Sequence, residues 1–182
     1  QRIKVEDGNY KLVVNIEDVN SDVDKLIIED ITIEIFENNF LSDIQFVDKF
    51  NVANQPSILS KSGFDLYPYK SNFFDGLQDN LTFYIEVYNS DQLENNRFLL
   101  NTYIQGYQDE VIYKDSYSSK RMKAEQIVPH LQTYNISSLI KGNYNIVCEV
   151  RDVKNNLIDK KIKFFQRNKE EINLQSQNQL NK

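Results

Sequence analysis

From Tyr144 to Arg151 the chain alternates strictly. Tyr144, Ile146, Cys148 and Val150 share one face, and Asn145, Val147, Glu149 and Arg151 share the other. A period of two with one mainly apolar face predicts a half-buried β-strand. "KNN" then turns the chain, and "LIDKKIKFF" alternates again, with Ile158, Lys160, Ile162 and Phe164 set against Asp159, Lys161, Lys163 and Phe165. The pair reads as an antiparallel hairpin closing a domain. Just upstream, "SSLIKGNY" has the form of a corner leading into a sandwich strand: Leu139 plugs the core, a glycine turns the chain, and Tyr144 returns its hydroxyl to nearby backbone.

The same sentence stands near the start. "GNYKLVVNIEDV" at 8–19 matches "GNYNIVCEVRDV" at 142–153, with Tyr10, Leu12, Val14 and Ile16 in the inward register. "EDVNSDVD" is the turn, and "KLIIEDITIEIF" the following strand, with Ile31, Ile33 and Ile35 alternating against Thr32 and Glu34. An isolated hairpin cannot bury its apolar face. Residues 1–38 therefore read as the closing strands of a sandwich truncated at its N-terminus.

Between the copies, 41–50 reads as an entering strand and 51–62 as a polar loop. "GFDLYPYKSNFF" is extended up to Pro68, which marks a sheet edge or strand end. "LTFYIEVYN" is the strongest strand, with Phe83, Ile85 and Val87 inward and Thr82, Glu86 and Tyr88 towards the other face. "NRFLLNTYIQG" and "DEVIYKDSY" read as a hairpin, and one strand is expected on each side of Pro129. About seven to nine strands then fill 39–167, a sandwich count. The Gln/Asn-rich stretch 168–182 reads as a tail or linker, with a short helix from Asn168 to Leu174 as an option. The fold class is all-β: tandem immunoglobulin-like or fibronectin III-like β-sandwiches, the first incomplete.

Composition agrees. Eleven Tyr and eleven Phe favour strands, while only five Gly and three Pro leave turn-making to Asn and Asp. A net charge of -6 argues against nucleic acid or an anionic membrane surface as partner, because both attract a basic face. The single cysteine excludes an intrachain disulfide. No apolar run approaches the ~18 residues of a membrane-spanning helix. The opening "QRIKVEDGNY" carries no signal peptide and reads as the interior of something longer.

Taken together, "LSDIQFV", "KSGFDLYPYKSNFF", "LTFYIEVYN" and "SLIKGNYNIVCEVRD" resemble the region preceding the GWxTD domain in envelope proteins of Bacteroidota. The likeness covers roughly 10–167, and the order and spacing of the motifs carry it. The Gly-Trp-x-Thr-Asp motif itself is absent, since the chain has no Trp. The resemblance implies an exported protein, in the periplasm or at the cell surface of a Gram-negative bacterium and part of a lipoprotein or outer-membrane-associated complex. Its partners would be other envelope proteins. The family brings no catalytic activity with it.

The residues point the same way. His130 is the only histidine, and nothing in the sequence identifies a nucleophile for it to serve. Cys148 falls in the inward register and reads as a small buried hydrophobe. No phosphate-cradling glycine loop or zinc spacing occurs. Asp18, Asn20, Asp22 and Asp24 stand at alternate positions, the spacing of oxygen ligands in a calcium loop, with Glu29 at position twelve. Val23 occupies the place such a loop gives to glycine, the next segment reads as a strand, and the second copy's "DVKNNLID" lacks the charges. An ordinary acidic hairpin turn is the preferred reading and calcium the alternative.

Two aromatic groups are candidate binding surfaces: Tyr67 and Tyr69 flanking Pro68, near Phe73 and Phe74, and Tyr84 with Tyr88 on the outer side of the best strand. The preferred function is a non-catalytic interaction or scaffolding module. The alternative is a carbohydrate-binding accessory module using Tyr67 and Tyr69.

Overall fold

The computed structural model describes residues 5–21, 24–33 and 40–170. The chain divides into two compact units, Gln1–Asn38 and Asn39–Lys182.

The first unit is an antiparallel pair of strands, β1 (Gly8–Glu17) and β2 (Asp24–Ile33). Cross-strand partners share a face, so Tyr10 with Ile31, Val14 with Ile27 and Gly8 with Ile33 place the isoleucines beside Leu12 and Ile16 on one apolar side. That side is open: Tyr10 is 39% exposed, Leu12 42% and Ile16 51%. Ile35 and Glu34, expected to prolong the second strand, lie outside the described residues.

The second unit holds ten strands among the described residues, arranged as two five-stranded sheets. The first sheet joins β3 (Gln45–Val52), β4 (Ser60–Lys61), β5 (Phe64–Pro68), β7 (Asn80–Tyr88) and β10 (Ile127–Asn135) in the order β10-β7-β3-β5-β4. The second joins β6 (Phe73–Asp75), β8 (Arg97–Gly106), β9 (Ser118–Lys123), β11 (Gly142–Arg151) and β12 (Leu157–Asn168) in the order β6-β12-β11-β8-β9. Alternation decides what meets between them. Phe46, Leu81, Phe83, Ile85 and Val87 from one sheet share a core with Phe98, Leu100, Ile104, Ile146, Cys148, Val150 and Phe165 from the other. Each such side chain contributes about 1.5–3 kcal/mol by leaving water. Phe74 joins them edge-on, with ring centroids 5.5 Å from Phe46 and 5.7 Å from Phe165. Leu139 is 5% exposed and sits in this core as the expected plug.

The repeat seen in the sequence is a repeat of structure. Every partner pair from Gly8–Ile33 to Ile16–Lys25, advanced by 134 positions, is a partner pair from Gly142–Arg167 to Val150–Asp159. The tyrosine bond returns as well. Tyr144 donates its hydroxyl to the Ile140 carbonyl at 2.9 Å, and Tyr10 donates to Glu6 at 2.8 Å.

Three expectations are corrected. "DEVIYKDSY" forms a single bridge, Gln105 to Ile112, and a short 3-10 turn at Lys114–Ser116; the partner of β8 is the polar β9. One strand, β10, runs straight through Pro129, which is tolerated because β10 lies at the edge of its sheet. Asn168 ends β12 and does not begin a helix; 171–182 lie outside the described residues.

Candidate functional site

The chemistry of the second unit gathers on the outer face of its first sheet, around Glu86. Alternation along β7 turns Tyr84, Glu86 and Tyr88 away from the core. Across the sheet, Lys61 and Phe64 are partners flanking a two-residue loop, Ser62 and Gly63, with φ of +45° and +88°. Positive φ at both loop positions is the type I′ hairpin turn, and Lys61 and Ser62 of this hairpin reach Glu86 on β7.

Four donors therefore close on one carboxylate. Ser62 and Tyr84 donate their hydroxyls to Glu86 Oε1, each at 2.6 Å. Tyr88 donates to Oε2, and Lys61 Nζ stands 3.1 Å from that same oxygen. Lys61 also lies 5.2 Å from the centre of the Tyr84 ring. Glu86 is only 3% exposed. Burial pushes its carboxyl up, but the donations from Ser62, Tyr84 and Tyr88 and the charge of Lys61 outweigh burial, so the group is held below its ordinary value. With both oxygens occupied, Glu86 acts as an ionised fastener between the hairpin and the sheet. The second sheet carries a counterpart: outward Glu149, 6% exposed, accepts from Tyr103 at 2.9 Å and from Arg151 Nε at 2.8 Å.

The candidate residues separate. Tyr84 points outward but is fully buried, packed with Val47 and Leu66 beneath Phe64 and Leu131, so the open surface expected there is absent. Tyr88 is half-buried and committed to Glu86. Tyr69 stacks on Phe74 at 4.7 Å and donates to the Phe73 carbonyl and to Gln78, so one ring face and its hydroxyl serve the core. Tyr67 is half-buried on the neighbouring position, with Lys49 5.0 Å above its ring. Of the two neighbouring phenylalanines, Phe74 is 3% exposed and Phe73 is 42% exposed. Lys61 and Ser62 were missed by the sequence reading, although the Ser-Gly dipeptide is a turn signal.

Asp18 spends its carboxylate locally, accepting from the Asn20 backbone N–H at 2.9 Å and the Ser21 hydroxyl at 2.8 Å. These bonds, the Asn20 backbone first, hold its carboxyl below the ordinary value. Asp24 begins β2 as the cross-strand neighbour of Glu17, and Asp22 lies outside the described residues. Among the described residues no group of three or more His, Cys, Asp or Glu is arranged to hold a metal ion. His130 is 6% exposed, bonded through Nε2 to Gln132 at 3.0 Å. Cys148 is fully buried, which pushes its thiol far above the ordinary value. No helix among the described residues is long and apolar enough to cross a membrane.

No family model matches this chain, and no curated protein matches it.

Proposed function

We propose that the chain is a non-catalytic interaction module: tandem immunoglobulin-like sandwiches that hold their place in a bacterial envelope assembly by packing β-sheet faces against neighbouring protein. The observation that carries this reading is the exposed hairpin of the first unit. It repeats, pair for pair, a hairpin whose Tyr144, Ile146 and Val150 are buried in the second unit, yet the corresponding Tyr10, Leu12 and Ile16 stand open. A strand pair of this composition is stable only when its apolar side is covered.

The outer-membrane setting rests on the sequence resemblance. The reading is tested by purifying the full-length protein from its native envelope in mild detergent and identifying companions by mass spectrometry. A stoichiometric envelope partner, lost on Leu12→Asp or Ile31→Asp, is the expected result. Recovery of the protein alone across several detergents, or a partner indifferent to both substitutions, overturns it.

A further inference from the structure

At one end of the second unit, where β8 leaves the sheet and the chain turns into β11, lies an open cleft of about 450 Å³. Its walls are Gly106 to Asp109, Tyr113, and Ile140 to Tyr144. We propose that this cleft is a saccharide-binding site, taking a neutral, hydroxyl-rich ligand of one or two sugar rings. This goes beyond the packing role and uses a different surface.

Three properties point to that chemistry. The first is aromatic area held ready. Tyr107 is 52% exposed and Tyr113 38%. Neither ring is loose: Tyr107 meets Phe164 edge-on at 5.2 Å, and Tyr113 meets Tyr144 at 5.5 Å and 67°. The backbone is tied down beside them, with Tyr107 N donating to the Asn143 carbonyl at 3.1 Å and Tyr113 N to Ile104 at 2.9 Å. Sugar rings present a face of weakly positive C–H groups, which suits the negative face of a fixed aromatic ring. A rigid ring loses little freedom on binding.

The second is a placed carboxylate. Asp109 lies directly over Gly106, where a Cβ would come within 2.0 Å of Asp109 Oδ1. That oxygen accepts the Val111 N–H at 3.1 Å, which fixes the carboxylate in the cleft wall. The Asn143 amide is oriented likewise, its Oδ1 accepting from Gln166 Nε2 at 3.2 Å. A carboxylate with nearby amides is a good acceptor and donor set for vicinal hydroxyls.

The third is charge balance and size. The cleft carries one acid, Asp109, and one base, Lys141, so neither a strong anion nor a strong cation is favoured. Its volume falls in the range of small-molecule sites. Tyr113 also lines a smaller cavity of about 130 Å³ together with Ser116, Asn135 and Ser138.

The test is a ¹⁵N NMR titration of the full 182-residue chain with maltose, cellobiose and di-N-acetylchitobiose as separate probes. At least one probe should shift the amides of 106–109, 113 and 141–144, with millimolar affinity. Tyr107→Ala removes an exposed ring and should weaken that binding about tenfold, a loss of the size seen for one aromatic anchor. Asp109→Asn keeps the shape and should weaken it as well. Gly106→Ala, which drives the carboxylate out of place, should match Asp109→Asn. Retained amide dispersion in each variant shows that the fold is intact. Absence of shifts in the cleft with all three probes, or shifts that survive both Tyr107→Ala and Asp109→Asn, overturns the proposal. Either result leaves the partner-packing reading to its own experiment.

Discussion

Tyr10 and Tyr144 stand 134 positions apart and make the same bond, each hydroxyl donating to the carbonyl four residues before it, Glu6 in one case and Ile140 in the other. The bond fixes how the chain enters the strand, and with it which side chains face inward. Tyr144 is 4% exposed within the core, stacked on Phe165 at 5.4 Å, and burial pushes its hydroxyl up to about 12. Tyr10 makes its bond in the open.

Tyr144→Phe should lower the unfolding free energy of the second unit by about 1 kcal/mol, the net worth of one hydrogen bond. Tyr10→Phe should leave that transition unchanged, because Tyr10 belongs to the other unit. Urea titration followed by tyrosine fluorescence separates the two. An equal loss in both variants would contradict the division into units.

Glu86→Gln should destabilise the protein by about 2 kcal/mol at pH 7, since it weakens charge-assisted bonds from Ser62, Tyr84 and Lys61. The pH dependence follows from the lowered value of Glu86 in the fold. Stability from its ionised form is complete above the unfolded carboxylate range and disappears as pH falls through the folded value. The gap between wild type and Glu86→Gln in thermal midpoint should therefore narrow between pH 5 and pH 2. A gap that stays constant with pH would show that the charge of Glu86 contributes nothing.

His130 resists protonation in the fold. Burial is the main cause, the charge of Lys120 adds to it, and the bond to Gln132 works against it. The unfolded chain takes up a proton near pH 6.5 that the folded chain refuses. Stability is thus complete above that value and declines as pH drops below it. His130→Gln should flatten this decline between pH 7 and pH 5 in chemical denaturation. An unchanged slope would exclude His130 as its source.

Arg167 is fully buried at the end of β12 and donates to the Asp75 and Gln78 carbonyls, with Nε 3.4 Å from the Leu139 carbonyl and Asp79 3.7 Å from Nη2. Arg167→Met leaves several backbone acceptors without a partner and should cost about 3 kcal/mol. Arg167→Lys should recover less than half of this, because an ammonium lacks the planar fork that spans separate acceptors. Full recovery with lysine would reduce the residue to a point charge.

Alternation made much of the second unit legible, because a strand's period of two survives any surrounding. Phe83, Ile85 and Val87 of β7, and Ile146, Cys148 and Val150 of β11, lie in the core as their spacing requires. Tyr84 shows the limit. Its spacing told which side of the sheet it occupies but nothing of the Ser62–Gly63 turn laid over that side. β9 was missed for a related reason. "SSKRMK" has almost no apolar signal, and its strand character comes from pairing along β8. The end cleft was invisible because Tyr107, Asp109 and Tyr113 belong to a loop, while Asn143 stands far later in the chain, at the start of β11.

The sequence by itself determined the all-β class, the repeated hairpin and the tyrosine at the head of each copy, since these rest on periodicity and on contacts a few residues long. Tertiary structure alone decided which outward groups are buried, how four donors meet on Glu86, and where an open cleft forms. Those outcomes depend on strands far apart in the chain arriving side by side, and nothing local encodes that meeting.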